Sequence, residues 1–172
     1  MDLLALWVLT LLNTFTIALI LRQLALRPQL AVKREGPPVG STMPTWSLDN
    51  LDGQAGLVAR LPPSHVLVFA STNCGPCHDL FRDLASHPVD TKNLAYLVID
   101  QDAVTVRQTL KDVPSGAFAG VFIGSSPALL ANLHVPATPY GVAIRDGRVV
   151  EARTVNRGGL LQALVASASA SA

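Results

Sequence analysis

The run His65 to Ala70 (HVLVFA) constrains this chain most: it is apolar and rich in extended-chain formers, shows no alternation, and opens within four residues onto Cys74-Gly75-Pro76-Cys77. A strand that is apolar on both sides must be covered on both sides. It therefore belongs inside a sheet, with further layers packed over it. From Pro76 to Ser86 the residues Leu80, Phe81 and Leu84 recur at helical spacing, and Pro76 suits a first turn, where its missing N–H has no intrahelical partner to lose. Cys74 thus stands where a buried strand feeds the N-terminus of a helix.

The rest of the central region alternates in the same way. Thr45 to Leu48 reads as a short strand entering a turn over Asp49 to Gly53. Leu94 to Ile99 reads as a second buried strand, Ala103 to Val113 as a helix, Val121 to Ile123 as a short edge strand, and Ser126 to His134 as another helix. Tyr140 to Arg145 and Arg148 to Arg153 flank Asp146-Gly147, a two-residue hairpin signal, and Arg157 to Ala166 closes the region as an amphipathic helix. This order predicts an α/β sandwich with a mixed sheet, and the chain carries no internal repeat.

Cys74 and Cys77 are the only cysteines, so no disulfide framework holds the fold and the pair is chemical or metal-binding. A free thiol has a pKa of about 8.5, and the thiolate is the form that attacks a disulfide. The N–H groups and dipole of a helix N-terminus favour the anion and can bring such a thiol to roughly 3.5–7.5. Cys74 is placed for that effect. Cys77, one turn further on, can reach back to it, which makes Cys74 the nucleophile and Cys77 the resolving thiol. Gly75 admits close backbone approach and Pro76 stiffens the connection.

Cys74-x-x-Cys77-His78 also has the spacing of a covalent haem site, with His78 as axial ligand. A second axial ligand would normally come from Met or His, and the methionines are Met1 and Met43, outside the central region. Two cysteines and one histidine leave a zinc ion without its fourth ligand. No cofactor and no metal are therefore expected, and His78 is expected on the helix surface. Thr138-Pro139, just before an apolar strand, points to a cis X-Pro bond presenting its backbone to the sulfurs, although prolines at that place also serve as plain edge residues.

The ends differ from the centre. Leu3 to Leu21 runs nineteen residues without a charge, which at about 1.5 Å per residue nearly spans a hydrocarbon core of about 30 Å. Asp2 stands where a cleaved signal would carry a cation, so residues 1–22 are expected to be an uncleaved membrane anchor in contact with lipid. Residues 23–44, with their prolines and glycines, read as a linker, 45–166 as the domain, and 167–172 (SASASA) as a disordered tail. Arg22, Arg27, Lys33 and Arg34 follow the apolar run, which by loop charge alone would put the domain in the cytoplasm. A formal net charge of +1 and an aromatic content of 5% offer nucleic acid neither a basic field nor a stacking surface.

Taken together, Cys74-Gly75-Pro76-Cys77 after an apolar strand, Thr138-Pro139 before another, then a hairpin and a last helix, resemble the thioredoxin superfamily from about Trp46 to Ala166. The likeness is nearer to the membrane-tethered TlpA-like redoxins, in particular the MauD accessory proteins of methylamine utilisation. It is carried by Leu21-Arg22-Gln23-Leu24, Gly36-Pro37-Pro38-Val39-Gly40, the Asp49 to Gly53 turn, Thr138-Pro139-Tyr140-Gly141-Val142, Val155-Asn156-Arg157 and Leu160 to Leu164. The resemblance implies a thioredoxin-like three-layer sandwich with a mixed central sheet behind one transmembrane helix. It implies a protein disulfide as substrate, with Thr138 and Pro139 binding its backbone, a membrane-anchored partner that recycles the pair, and a domain facing the periplasm or cell exterior, where an oxidised pair is easier to maintain.

The chain departs from the family in three places. Asn73 stands where thioredoxins carry Trp, Val68 falls at the position of their buried acid, and Gly75-Pro76 replaces the Pro-Val of the MauD-like motif. Asp79 and Asp100 are the candidate replacements for the acid. The peroxidases of the superfamily would need Pro at Leu67 and Thr at Ser71, which disfavours hydroperoxide chemistry. The rival class is a redoxin-fold docking module for a membrane or exported client, in which the sulfurs are incidental.

Overall fold

The computed structural model describes residues 7, 10–19, 36–44, 47–51, 55–57, 61–99, 101–124, 130 and 133–170. The chain divides into two compact units, Met1–Arg34 and Glu35–Ala172. In the first, residues 10–19 are helical (α1), and the side chains of Leu11, Leu12, Phe15, Ile17 and Leu19 are exposed. The hydroxyls of Thr14 and Thr16 donate to the carbonyls of Thr10 and Leu12, both at 2.8 Å, so they are satisfied within the helix. Among the described residues no helix is long and apolar enough to cross a membrane. Much of the expected anchor, and of the linker up to residue 35, lies outside the described residues.

The second unit is built on a seven-stranded sheet in the order β2-β1-β5-β4-β3-β6-β7, from β1 (Ser47–Asn50), β2 (Ala55–Leu57), β3 (His65–Ala70), β4 (Ala95–Ile99), β5 (Gly120–Ile123), β6 (Tyr140–Arg145) and β7 (Arg148–Thr154). β3, buried at every residue, pairs parallel with β4 and antiparallel with β6, which makes the sheet mixed as expected. Its side chains alternate between two cores. Val66, Val68 and Ala70 face the core that holds Cys77, Leu80, Phe81 and Leu84 of α2 (Gly75–Ser86), Val106 of α3 (Ala103–Thr109), and Leu161, Leu164 and Val165 of α4 (Gly158–Ser169). Leu67 and Phe69 face the other, with Val142, Ile144, Leu133 and Val135, against which Met43 packs.

Two of the expected elements differ in the structure. The expected turn at Asp49 and Asn50 is strand: both residues pair with β5, and Asp49 also with Ala55 of β2, a three-residue strand too short to show a period in the sequence. The helix from Ala103 stops at Thr109, because Pro114 restricts Val113 and the chain turns through 110–113 instead. The helix expected over 126–134 falls mostly outside the described residues; Leu130 is helical, while Leu133 and His134 are in a turn.

The linker and the tail are also shorter than expected. Gly40 N–H donates to Val149 O (2.7 Å), Val149 N–H to Ser41 O (2.9 Å), and Gly36 N–H to His134 O (3.1 Å), so residues 36–43 belong to the folded unit. Gly36 has φ +79°, and a Cβ there would collide with the Tyr140 ring, so glycine alone lets the segment dock. At the other end α4 runs to Ser169 with Ala168 buried. Its serines do not end the helix, because Ser167 Oγ donates to Glu151 Oε2 (2.6 Å) and Ser169 Oγ to Val165 O (2.5 Å).

Candidate active site

Cys74 leaves the end of β3 through the turn Ser71-Thr72-Asn73 and becomes the N-cap of α2, with φ −107° and ψ 112°. Its carbonyl accepts the N–H groups of Cys77 (3.0 Å) and His78 (3.2 Å), and its sulfur accepts Cys77 N–H at 3.2 Å. The cap is therefore a sulfur, where a helix would ordinarily recruit a hydroxyl or carboxylate. No acidic residue lies in the first turn, so no carboxylate competes for the positive end of the helix.

Cys74 and Cys77 form a disulfide, with their Cα atoms 5.2 Å apart. Their surroundings differ. Cys74 is half-buried, while Cys77 is fully buried in the core under α2. Gly75 and Pro76 are exposed at the start of the helix. An incoming sulfur can reach the first cysteine and is kept from the second.

Across from Cys74 lies the loop before β6. The Thr138-Pro139 peptide bond is cis, and Cys74 Sγ is 3.1 Å from the Thr138 carbonyl oxygen. In the disulfide the sulfur has no proton, so this is a contact; a Cys74 thiol could donate there. Pro139 O accepts Val155 N–H at 3.1 Å, which ties the loop to the end of β7, and Tyr140 is buried beneath it. The six residues singled out in the sequence, Cys74, Gly75, Pro76, Cys77, Thr138 and Pro139, thus share two facing loops at one end of the sheet.

The surrounding groups fall out differently. Val68 is fully buried in the Cys77 core and supplies no proton acceptor. Asp79 is exposed and paired with Arg82 (3.0 Å), and Asp100 lies outside the described residues. Met43 packs on the opposite core from Cys77. Among the described residues no three His, Cys, Asp or Glu side chains gather as a metal site. His78 is exposed on the helix surface, as expected, and its Nε2 lies 2.7 Å from the Thr72 carbonyl oxygen. A carbonyl can only accept, so Nε2 carries the proton. The His that follows the second cysteine was the signal available in the sequence, but nothing local says which carbonyl it meets.

No family model matches the chain, and no curated protein matches it in sequence. Solved structures match in fold. A Chlorobium tepidum protein described as a thiol:disulfide interchange protein DsbE superposes with a TM-score of 0.59 at 19% identity, covering 76% of this chain and 95% of its own. A thio-disulfide isomerase of Thermus thermophilus gives 0.57 at 22% identity, covering 76% and 96%. A secreted Mycobacterium tuberculosis disulfide oxidoreductase gives 0.51 at 18% identity, covering 71% and 95%. At such identities the likeness establishes the thioredoxin-like fold, and its neighbours in that fold are thiol–disulfide oxidoreductases.

Proposed function

We propose that the protein is a membrane-anchored thiol–disulfide oxidoreductase that reduces or exchanges disulfides in an exported protein. The observation that carries the reading is the position of Cys74 Sγ, at once the cap of a helix and 3.1 Å from the carbonyl of a cis-proline loop. In the dithiol form the helix N-terminus stabilises a Cys74 thiolate, which attacks one sulfur of the client disulfide and expels the other as a thiolate. Cys77 then loses its proton and attacks Cys74 Sγ, which releases the second client sulfur. Two electrons and two protons pass to the client, and Cys74–Cys77 is left as the disulfide. The backbone at Thr138 and Pro139 orients the client beside Cys74 while this happens.

A Cys77→Ser variant stops the sequence at its midpoint. It is expected to accumulate a client joined to Cys74, visible as a band that a reductant removes; recovery of no such adduct from cells or from a model disulfide protein contradicts the reading.

The anchor and the exterior location are further parts of the proposal. The apolar, uncharged run Leu3 to Leu21 and the exposed Leu11, Leu12 and Phe15 support the first. The secreted Mycobacterium tuberculosis neighbour and the redox pair itself support the second, against the loop charges. The MauD-like motifs suggest maturation of a redox enzyme as the task. After mild reduction of intact cells, a membrane-impermeant maleimide is expected to label the cysteines; labelling confined to lysed cells would put the domain inside.

A further inference from the structure

The turn 71–74 is held to α2 by bonds of two kinds. Some run through Cys74 itself: its disulfide, its sulfur accepting Cys77 N–H, and its carbonyl accepting Cys77 and His78 N–H. One does not. The His78 ring reaches back six residues, past Cys74, and donates Nε2–H to the carbonyl of Thr72, a residue that is itself buried. At 2.7 Å this is a short bond, and it closes a loop around both cysteines.

The two redox states need that bond unequally. While the disulfide is closed, Cys74 is covalently fixed to the first turn of α2, and the neighbouring turn follows it. When the disulfide opens, the covalent closure is gone and the loop regains conformational freedom. The hydrogen bond therefore forms at less entropic cost in the disulfide form, where the turn is already held, than in the dithiol form, where it must itself order the turn. A bond that stabilises the disulfide form more than the dithiol shifts the equilibrium between them, because the protein disulfide plus two glutathione thiols and the protein dithiol plus glutathione disulfide are two sides of one balanced reaction.

We propose that His78 is a positioning residue that holds the 71–74 turn, and with it Cys74, against the first turn of α2 and over the Thr138 carbonyl, keeps the two sulfurs close, and so weights the pair toward its disulfide form. The inference rests on the oxidoreductase reading, and deepens it by naming a residue that sets how readily the pair is reduced.

The test uses the full chain in wild-type, His78→Ala and His78→Gln forms, Gln being able to offer an N–H donor toward the same carbonyl. Melting temperatures of the oxidised and dithiothreitol-reduced proteins are compared, and the fraction reduced is measured across glutathione ratios at pH 7. His78→Ala is expected to lower the melting temperature of the oxidised form more than that of the reduced form. Its glutathione equilibrium should move roughly threefold to tenfold toward the dithiol, tenfold being about 30 mV for two electrons, with His78→Gln nearer wild type. Equal losses in both redox forms with an unmoved equilibrium would reduce His78 to a structural tether and overturn the proposal, as would a His78→Gln equilibrium displaced as far as that of His78→Ala. A wild-type pair that does not exchange with glutathione at all contradicts the oxidoreductase reading instead, and the melting comparison separates the two failures.

Discussion

Asp83 shows how a single residue joins the active-site helix to the end of the chain. From α2 its Oδ2 accepts the Gly158 N–H at 2.7 Å, and so caps α4, whose own N-cap Arg157 makes no side-chain cap bond. Gly158 permits this approach, since a Cβ there would lie 3.0 Å from Val89 Cγ1 and 3.3 Å from Leu84 Cδ2. The bond from Gly158 is the first reason the Asp83 carboxyl is held below the usual carboxylate range; partial burial opposes it, while His87 and Arg157 add to it. A carboxyl whose folded pKa is depressed stabilises the fold above its unfolded value of about 3.9, and the contribution disappears as pH falls through the lower folded value. Asp83→Ala should therefore lower the urea midpoint at pH 7, and the gap to wild type should close as pH is taken down toward 3. A gap that stays constant with pH would show that the charge of Asp83 is not what caps α4.

At the scale of elements, what could be read in the sequence was what local pattern encodes. The continuous apolar run of β3, the helical spacing of Leu80, Phe81 and Leu84, and Asp146-Gly147 between two apolar runs each specify their element without outside help, and each element is present. Elements that depend on distant partners were not legible. Asp49 and Asn50 have turn chemistry, yet pairing with Phe122 and Ile123 on β5 holds them extended. Residues 36–43 look like a linker because their backbone bonds go to Val149 and His134, about a hundred residues away, and no periodicity announces that. The Ser and Ala residues at 167–169 read as low complexity, but small side chains suit a last helical turn in which Ala168 must fit against the core.

The candidate site was legible to a similar depth. Cys74, Cys77, Thr138 and Pro139 are chemically distinctive, and their place beside two strand ends predicts the meeting that the 3.1 Å contact shows. The roles of His78 and Asp83 were hidden, because a ring nitrogen or a carboxylate finds its partner only through the folded geometry.

For the whole molecule the sheet is the frame that brings two loops, far apart in the chain, to one place. β3 delivers Cys74 to the helix start, and its antiparallel partner β6 begins beside it, at Tyr140 opposite Phe69, directly after Pro139. The core beneath α2 buries Cys77 and leaves Cys74 half-open, which is the difference in access that the proposed roles of attack and resolution need. The claim on which the rest depends is that Cys74, once reduced, is an easily ionised nucleophile. The rate at which the reduced full chain loses Cys74 to iodoacetamide, followed by mass spectrometry across pH, measures this directly. A titration midpoint within roughly 3.5–7.5 is expected; a midpoint at the free-thiol value of about 8.5, or above it, would contradict that claim.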